Sequence, residues 1–132
     1  MSKDWVKDIR EMHEHYQVHQ WVKNNPEKLY AMLKFRLSFL QEELNETYEA
    51  FENRDPEEVV DGLIDLCVVA IGTLDAYNID SHKAWDAVYT ANMAKEVGIK
   101  DGRPNPLGLP DLTKPSDWVG PEHTGNHGIL PK

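Results

Sequence analysis

One short junction, Asn53-Arg54-Asp55-Pro56, constrains the fold of this chain more than any other feature. Proline has a fixed φ and no N–H, so Pro56 suits the first position of a helix. Asp55 before it can accept from the unpaired N–H groups of that first turn, and Glu58 stands three residues after the cap, as in a capping box. The sequence before the junction, from about residue 27 to residue 52, is also rich in helix formers. The connection is therefore a few residues long, and the two helices must run antiparallel as neighbours.

That hairpin decides where charge goes. Residues 42–65 carry ten acids (Glu42, Glu43, Glu46, Glu49, Glu52, Asp55, Glu57, Glu58, Asp61 and Asp65) and one base, Arg54. The balance equals the formal charge of the whole protein, −9. At a rise of about 1.5 Å per residue, Glu43 and Glu46 stand level with Asp61 and Asp65 across the turn. On the first helix Leu33, Leu37, Leu40, Leu44 and Phe51 form the expected buried stripe, and Met32, Arg36, Phe39, Glu43, Glu46 and Ala50 run beside it. On the second, LIDLCVVAI (residues 63–71) is apolar on nearly every face, and Asp65 is its only charge. Carboxylates in such a setting repel one another, so either their pKa values rise or a cation lies between them. An all-oxygen set suits a hard cation, Mg²⁺ above all. Glu49, Glu52 and Glu57 read instead as a solvated face.

With 132 residues and one cysteine, Cys67, the chain reads as one domain from a reducing compartment. The opening MSKDWVKDIR has no apolar run, and no segment reaches the ~20 apolar residues needed to span a membrane. The expectation is a soluble, cytoplasmic protein with no membrane partner. Its acidity argues against a nucleic-acid surface, which needs clustered Lys and Arg. Phosphate ligands stay open, because a carboxylate-held metal can itself hold phosphate.

Along the chain, residues 4–20 read as one helix with Trp5, Ile9, Met12 and Tyr16 on one side. His15 and His19 stand four apart, but no further pattern supports zinc there. His13 and Tyr16 could line a pocket for a flat ring. Asn25 and Pro26 read as the N-cap and first position of the next helix. Arg36 is either a snorkelling surface residue or a cation held near the carboxylates or a phosphate. Asp80 or Ser81 caps a fourth helix running through Trp85 and Met93, with Gly98 as its expected C-terminal cap. Asn92 and Lys95, three apart near its end, are either a polar helix end or a pair of phosphate donors. Six of the eight prolines and six of the eight glycines fall in residues 98–132, so this segment reads as an irregular arm, with TGNHG (residues 124–128) flexible. Lys114 and Trp118 are its strongest candidates for touching a ligand. The helical domain spans residues 1–97, and the arm, residues 98–132, belongs to the same domain.

EELNE (residues 42–46), VDGLIDLCVVAIGT (residues 60–73) and VYTANMAK (residues 88–95), in that order, resemble the MazG-like all-α nucleotide pyrophosphohydrolases. The likeness is nearest to short phage and bacterial members related to phosphoribosyl-ATP pyrophosphohydrolase. DIREMHEHY and the Lys114-Pro115-Ser116-Asp117-Trp118 segment extend it. The resemblance implies an all-α, four-helix MazG-like bundle with an irregular C-terminal arm, completed by oligomerisation as a homodimer or homotetramer. It implies Mg²⁺, with Mn²⁺ as an alternative, and hydrolysis of nucleoside triphosphates to the monophosphate and pyrophosphate. The implied metal ligands are Glu43, Glu46, Asp61 and Asp65, with Glu42 and Glu58 as second choices. Glu42 or Glu46 would activate the water. Asn92 and Lys95 would hold phosphates, helped by Lys114 or Arg36, and the base would lie between His13, Tyr16 and an aromatic of the arm, Trp118. One position departs from the family pattern: many members carry an acid three residues before the Asp, where this chain has Gly62. Two rivals follow. A di-iron bundle needs Glu-x-x-His twice, which this chain lacks altogether. A catalytically inactive relative that only binds a nucleotide or a protein remains.

Overall fold

The computed structural model describes residues 3–100 and 102–132. These are mostly helical. The helices are α1 (Trp5–His15), α2 (Val18–Asn24), α3 (Leu29–Glu52), α4 (Pro56–Ala76) and α5 (Ser81–Met93), with a 3-10 turn at Pro26–Lys28. A two-stranded antiparallel sheet pairs β1 (Glu96–Gly98) with β2 (Asp111–Thr113). The all-α reading therefore holds. The chain forms two compact units, Met1–Ser81 with Gly125–Lys132, and His82–Thr124.

The first unit is organised by the α3–α4 hairpin. Asp55 Oδ1 accepts from the Glu58 N–H at 3.2 Å and Pro56 opens the helix, as the junction sequence requires. Arg54 turns the corner at φ 54°. The two helices approach closely because position 62 has no side chain. A Cβ there would lie 2.2 Å from Thr47 Oγ1, which itself donates to the Glu43 carbonyl. Helix α1 packs on α4 through buried Ile9 and His13. At one end Val22, Ala76, Tyr77 and Ile79 form the core, with Leu29, Leu33 and Leu130 against it.

Four expectations need correction. Residues 4–20 are not one helix: Gln17 takes a left-handed conformation at φ 61°, and the chain restarts as α2. Asn25 does not cap the following helix. Its side-chain amide donates back to the Trp21 carbonyl and closes α2 instead. Gly98 is not a helix cap, because the chain leaves α5 at Met93 and Gly98 pairs with Asp111 in the sheet. The stripe expected in the core of α3 is exposed in this chain at Leu37, Leu44 and Phe51. The neighbouring row faces α4 instead, where Arg36 reaches Val69 and Thr73.

The end of the arm is also more ordered than TGNHG suggests. Asn126 is buried, donating to the Asp80 carbonyl and accepting from the Asp80 N–H, both at 2.9 Å. The Ile129 N–H donates to the Tyr77 carbonyl at 2.8 Å. Gly128 sits at φ 53° with no room for a Cβ beside the Tyr77 carbonyl.

In the second unit, the register Glu96↔Thr113, Val97↔Leu112 and Gly98↔Asp111 ties the segment after α5 to the arm. Trp118 Nε1 donates to the Ala91 carbonyl at 2.6 Å and anchors the arm on α5.

Candidate active site

Helices α3 and α4 bring the predicted carboxylates together. Glu43 is half-buried, and its carboxyl is pushed above the ordinary glutamate range by desolvation, then by the negative charges of Glu46, Asp65, Glu42 and Asp61. Asp65 is raised in the same way, by desolvation, by the charge of Asp61 and by a hydrogen bond with the Asp61 side chain. Desolvation and mutual repulsion both disfavour the charged carboxylates here, and a cation among them would relieve both. Glu46 and Asp61 face solvent on the same cluster. Glu42 and Glu58 are exposed, and the Glu58 backbone serves the Asp55 cap.

The Gly62 departure has a structural reason. That position points at Thr47 across the helix interface, so an acid there would collide with α3 rather than join the cluster. Asp61, one residue earlier, lies close enough for its charge to raise Asp65.

A cavity of about 240 Å³ opens beside the carboxylates, lined by Met12, His13, Arg36, Phe39, Glu43, Asp65, Val68 and Val69. Arg36 is folded onto α4, donating from Nε to Thr73 Oγ1 at 2.9 Å and from a terminal nitrogen to the Val69 carbonyl at 3.0 Å. Burial pushes its guanidinium pKa down from the usual arginine range. It is thus neither a snorkelling surface residue nor a direct partner of the acids, but a cation built into the cavity wall. Gly72 makes this possible, since a Cβ would lie 2.5 Å from that terminal nitrogen and 3.2 Å from His13 Nε2. Tyr16 stands apart from the cavity, exposed and stacked edge-on against His15 with ring centroids 4.7 Å apart.

In the second unit Lys95 and Lys114 meet on one ring, their Nζ atoms 5.4 and 4.8 Å from the Trp118 ring centre. Asn92 is exposed at the end of α5, its carbonyl accepting from the Lys95 N–H.

Sequence reasoning missed a second cluster. Asp75, buried on α4, accepts from His13 Nδ1 at 2.8 Å and His19 Nε2 at 2.6 Å on Oδ2, and from Arg10 Nε at 3.3 Å on Oδ1. Burial alone would raise the Asp75 pKa, but the hydrogen bonds from His19, His13 and Arg10 outweigh it and hold the carboxyl below its usual range. Burial pushes the His13 imidazole down, against the pull of Asp75. The signal was available: Asp75 is the next charge after Asp65 on an otherwise apolar helix. His13 and His19 are six residues apart, a spacing that meets on no continuous helix, and only the break at Gln17 joins them.

Comparison with known families matches residues 10–92 to phosphoribosyl-ATP pyrophosphohydrolase. The matched segment begins in α1, ends in α5 and contains both arms of the carboxylate hairpin. The chain belongs to the phosphoribosyl-ATP pyrophosphohydrolase family. No curated protein and no solved structure matches it. Membership makes nucleotides the substrate class and pyrophosphohydrolysis the general reaction, in a family whose members are typically metal-dependent. Among the described residues no helix is long and apolar enough to cross a membrane.

Proposed function

We propose that this chain is a Mg²⁺-dependent nucleoside triphosphate pyrophosphohydrolase, releasing a nucleoside or deoxynucleoside monophosphate and pyrophosphate. The observation that carries the reading is the crowding of Glu43 by Glu46, Asp65, Glu42 and Asp61 at the mouth of a cavity. The donors are all carboxylate oxygens, a set that fits a hard divalent ion, and Glu43, Glu46, Asp61 and Asp65 would hold it. When bound, such an ion supplies Lewis acidity and neutralises phosphate charge. Mn²⁺ fits the same donors.

The rest falls to the chain's own side chains. Glu42 or Glu46, both solvent-facing, accepts the proton of the water that attacks phosphorus. Asn92, Lys95 and Lys114 bind phosphate oxygens, and Trp118 holds the two lysines by cation–π contact. Arg36 adds a fixed positive charge to the cavity wall, and His13 offers a ring edge to the base. Tyr16, being exposed, contributes less than its sequence position suggests.

Assembly as a homodimer or homotetramer is part of the proposal. Leu37, Leu44, Phe51, Leu63 and Ile64 are large apolar residues exposed on the hairpin of a single chain. Light scattering at two protein concentrations reads this directly, and a monomer at both would remove it.

The test of the chemistry is pyrophosphate release from a panel of nucleoside triphosphates, in Mg²⁺ and in EDTA. Metal-dependent release with loss of at least about 10²-fold in Glu46→Gln, at unchanged helical circular dichroism, is the expected result. Silence across the panel from folded protein would overturn the enzyme reading and leave a catalytically inactive nucleotide- or protein-binding module.

A further inference from the structure

His19 and Asp75 have no part in the carboxylate chemistry proposed above, and their arrangement is costly to build. Gln17 is held at φ 61°, a conformation that disfavours a side chain, and the break it makes carries α2 round so that His19 meets His13. One ring nitrogen of His13, one of His19 and one oxygen of Asp75 come from three different helices and lie within 4.8 Å of one another. Both imidazoles aim at the same oxygen, Oδ2, while Arg10 holds Oδ1. His13 and Asp75 are buried, with side-chain exposures of 6% and 3%, whereas the His19 side chain is 38% exposed.

We propose that His13 Nδ1, His19 Nε2 and Asp75 Oδ2 form a binding site for a divalent transition ion of the Zn²⁺ or Co²⁺ kind, distinct from the Mg²⁺ carboxylates. Two imidazole nitrogens and one carboxylate oxygen suit such an ion, and Mg²⁺ prefers oxygen donors. Three protein donors with one side open to solvent at His19 leave a fourth position for water. The carboxylate is oriented from behind by Arg10, as the ligands of metal sites usually are.

Without metal, each imidazole shares a hydrogen bond with Oδ2. To bind, each must present a lone pair at that nitrogen, its proton leaving or moving to the other ring nitrogen. At metal–ligand distances of about 2.0–2.2 Å, tetrahedral donors stand about 3.3 Å apart, so each imidazole draws back from Oδ2 by roughly half an ångström to admit the ion. The site shares His13 with the wall of the proposed nucleotide cavity but uses neither Glu43, Glu46, Asp61 nor Asp65.

The experiment titrates Co²⁺ into the full chain with Mg²⁺ in large excess, so that the carboxylates are occupied. The readout is the visible d–d absorption, which is intense for four-coordinate Co²⁺ and weak for octahedral oxygen sites. The expected result is an intense band saturating at one Co²⁺ per chain and displaced by Zn²⁺. It should survive Glu43→Gln and weaken at least about a hundredfold in affinity in His19→Ala. His19 is partly exposed, so that variant should fold, and circular dichroism checks it. Asp75→Asn gives a second reading on the same band. Absence of the band in the unsubstituted chain overturns the site and leaves a hydrogen-bonded network. A band that persists in His19→Ala, or that is lost in Glu43→Gln, places the ion elsewhere and overturns it equally.

Discussion

At the residue scale, the two clusters of the first unit respond to pH in opposite directions. Glu43 and Asp65 are raised above their ordinary values of 4.5 and 3.8. The folded protein then holds their protons more tightly than the unfolded chain does, so stability falls as pH rises through that acid window. At neutral pH, without metal, the cluster works against the fold. Glu43→Gln should therefore raise the melting temperature in EDTA and abolish most of the stabilisation that Mg²⁺ gives to the unsubstituted chain. A variant that melts lower in EDTA, with Mg²⁺ stabilisation intact, would mean that Glu43 is an ordinary surface residue.

His13 and Asp75 work the other way. Both are held below their ordinary values, 6.5 and 3.8. For each the unfolded chain binds the proton more readily, so the stability they contribute is present above those values and lost as pH falls. The His13 part begins to fade below about pH 6.5 and the Asp75 part below about pH 3.8, each fading on down to its own lowered pKa. Metal-free melts between about pH 7.5 and 5.5 should fall, and His13→Gln should flatten that dependence.

At the scale of elements, the distance between α3 and α4 is set by one missing side chain. Gly62→Ala would place a methyl 2.2 Å from Thr47 Oγ1 and 3.1 Å from Thr47 Cβ. Thr47 is short and bonded to its own helix, so the helices must part. The expected cost is about 1–3 kcal/mol, the usual range for an overpacked contact. Thr47→Ala in the same chain should recover part of it by removing the oxygen in the way. Denaturant melts of the two single variants and the double variant measure the coupling. Additive losses would mean that position 62 does not set the spacing. The same contact explains why the chain places its acid at Asp61. A one-dimensional pattern counts residues, but the hairpin assigns faces, and position 62 belongs to the face that α3 covers.

At the scale of the whole molecule, the last eight residues come back to the first unit. Gly125–Lys132 belongs with Met1–Ser81, and Asn126 joins them through both of its amide atoms to the Asp80 backbone. Asn126→Ala removes two part-buried hydrogen bonds and should cost about 1–3 kcal/mol. Deleting residues 125–132 should cost more, because Leu130 also packs on the core around Tyr77. A thermal melt unchanged by the deletion would show the return to be incidental.

The hairpin, the Asp55 cap, the helical class and the gathering of Glu43, Glu46, Asp61 and Asp65 were all legible in the sequence alone. Each depends on short-range chemistry: a proline at a helix start, a rise per residue, a count of steps from a turn. What the tertiary structure decided depends on side chains far apart in the chain. Helix α3 has two apolar faces, and periodicity cannot say which one α4 takes; the Arg36 row faces α4, and Leu37, Leu44 and Phe51 stay exposed. The αL turn at Gln17 has no glycine to announce it, so the meeting of His13, His19 and Asp75 could not be read from spacing. TGNHG reads as loose because its composition is that of a loop, yet Asn126 is held by Asp80, a partner 46 residues away. Local sequence sets which elements form. Which faces meet is decided by the whole set of burial and hydrogen-bonding demands at once.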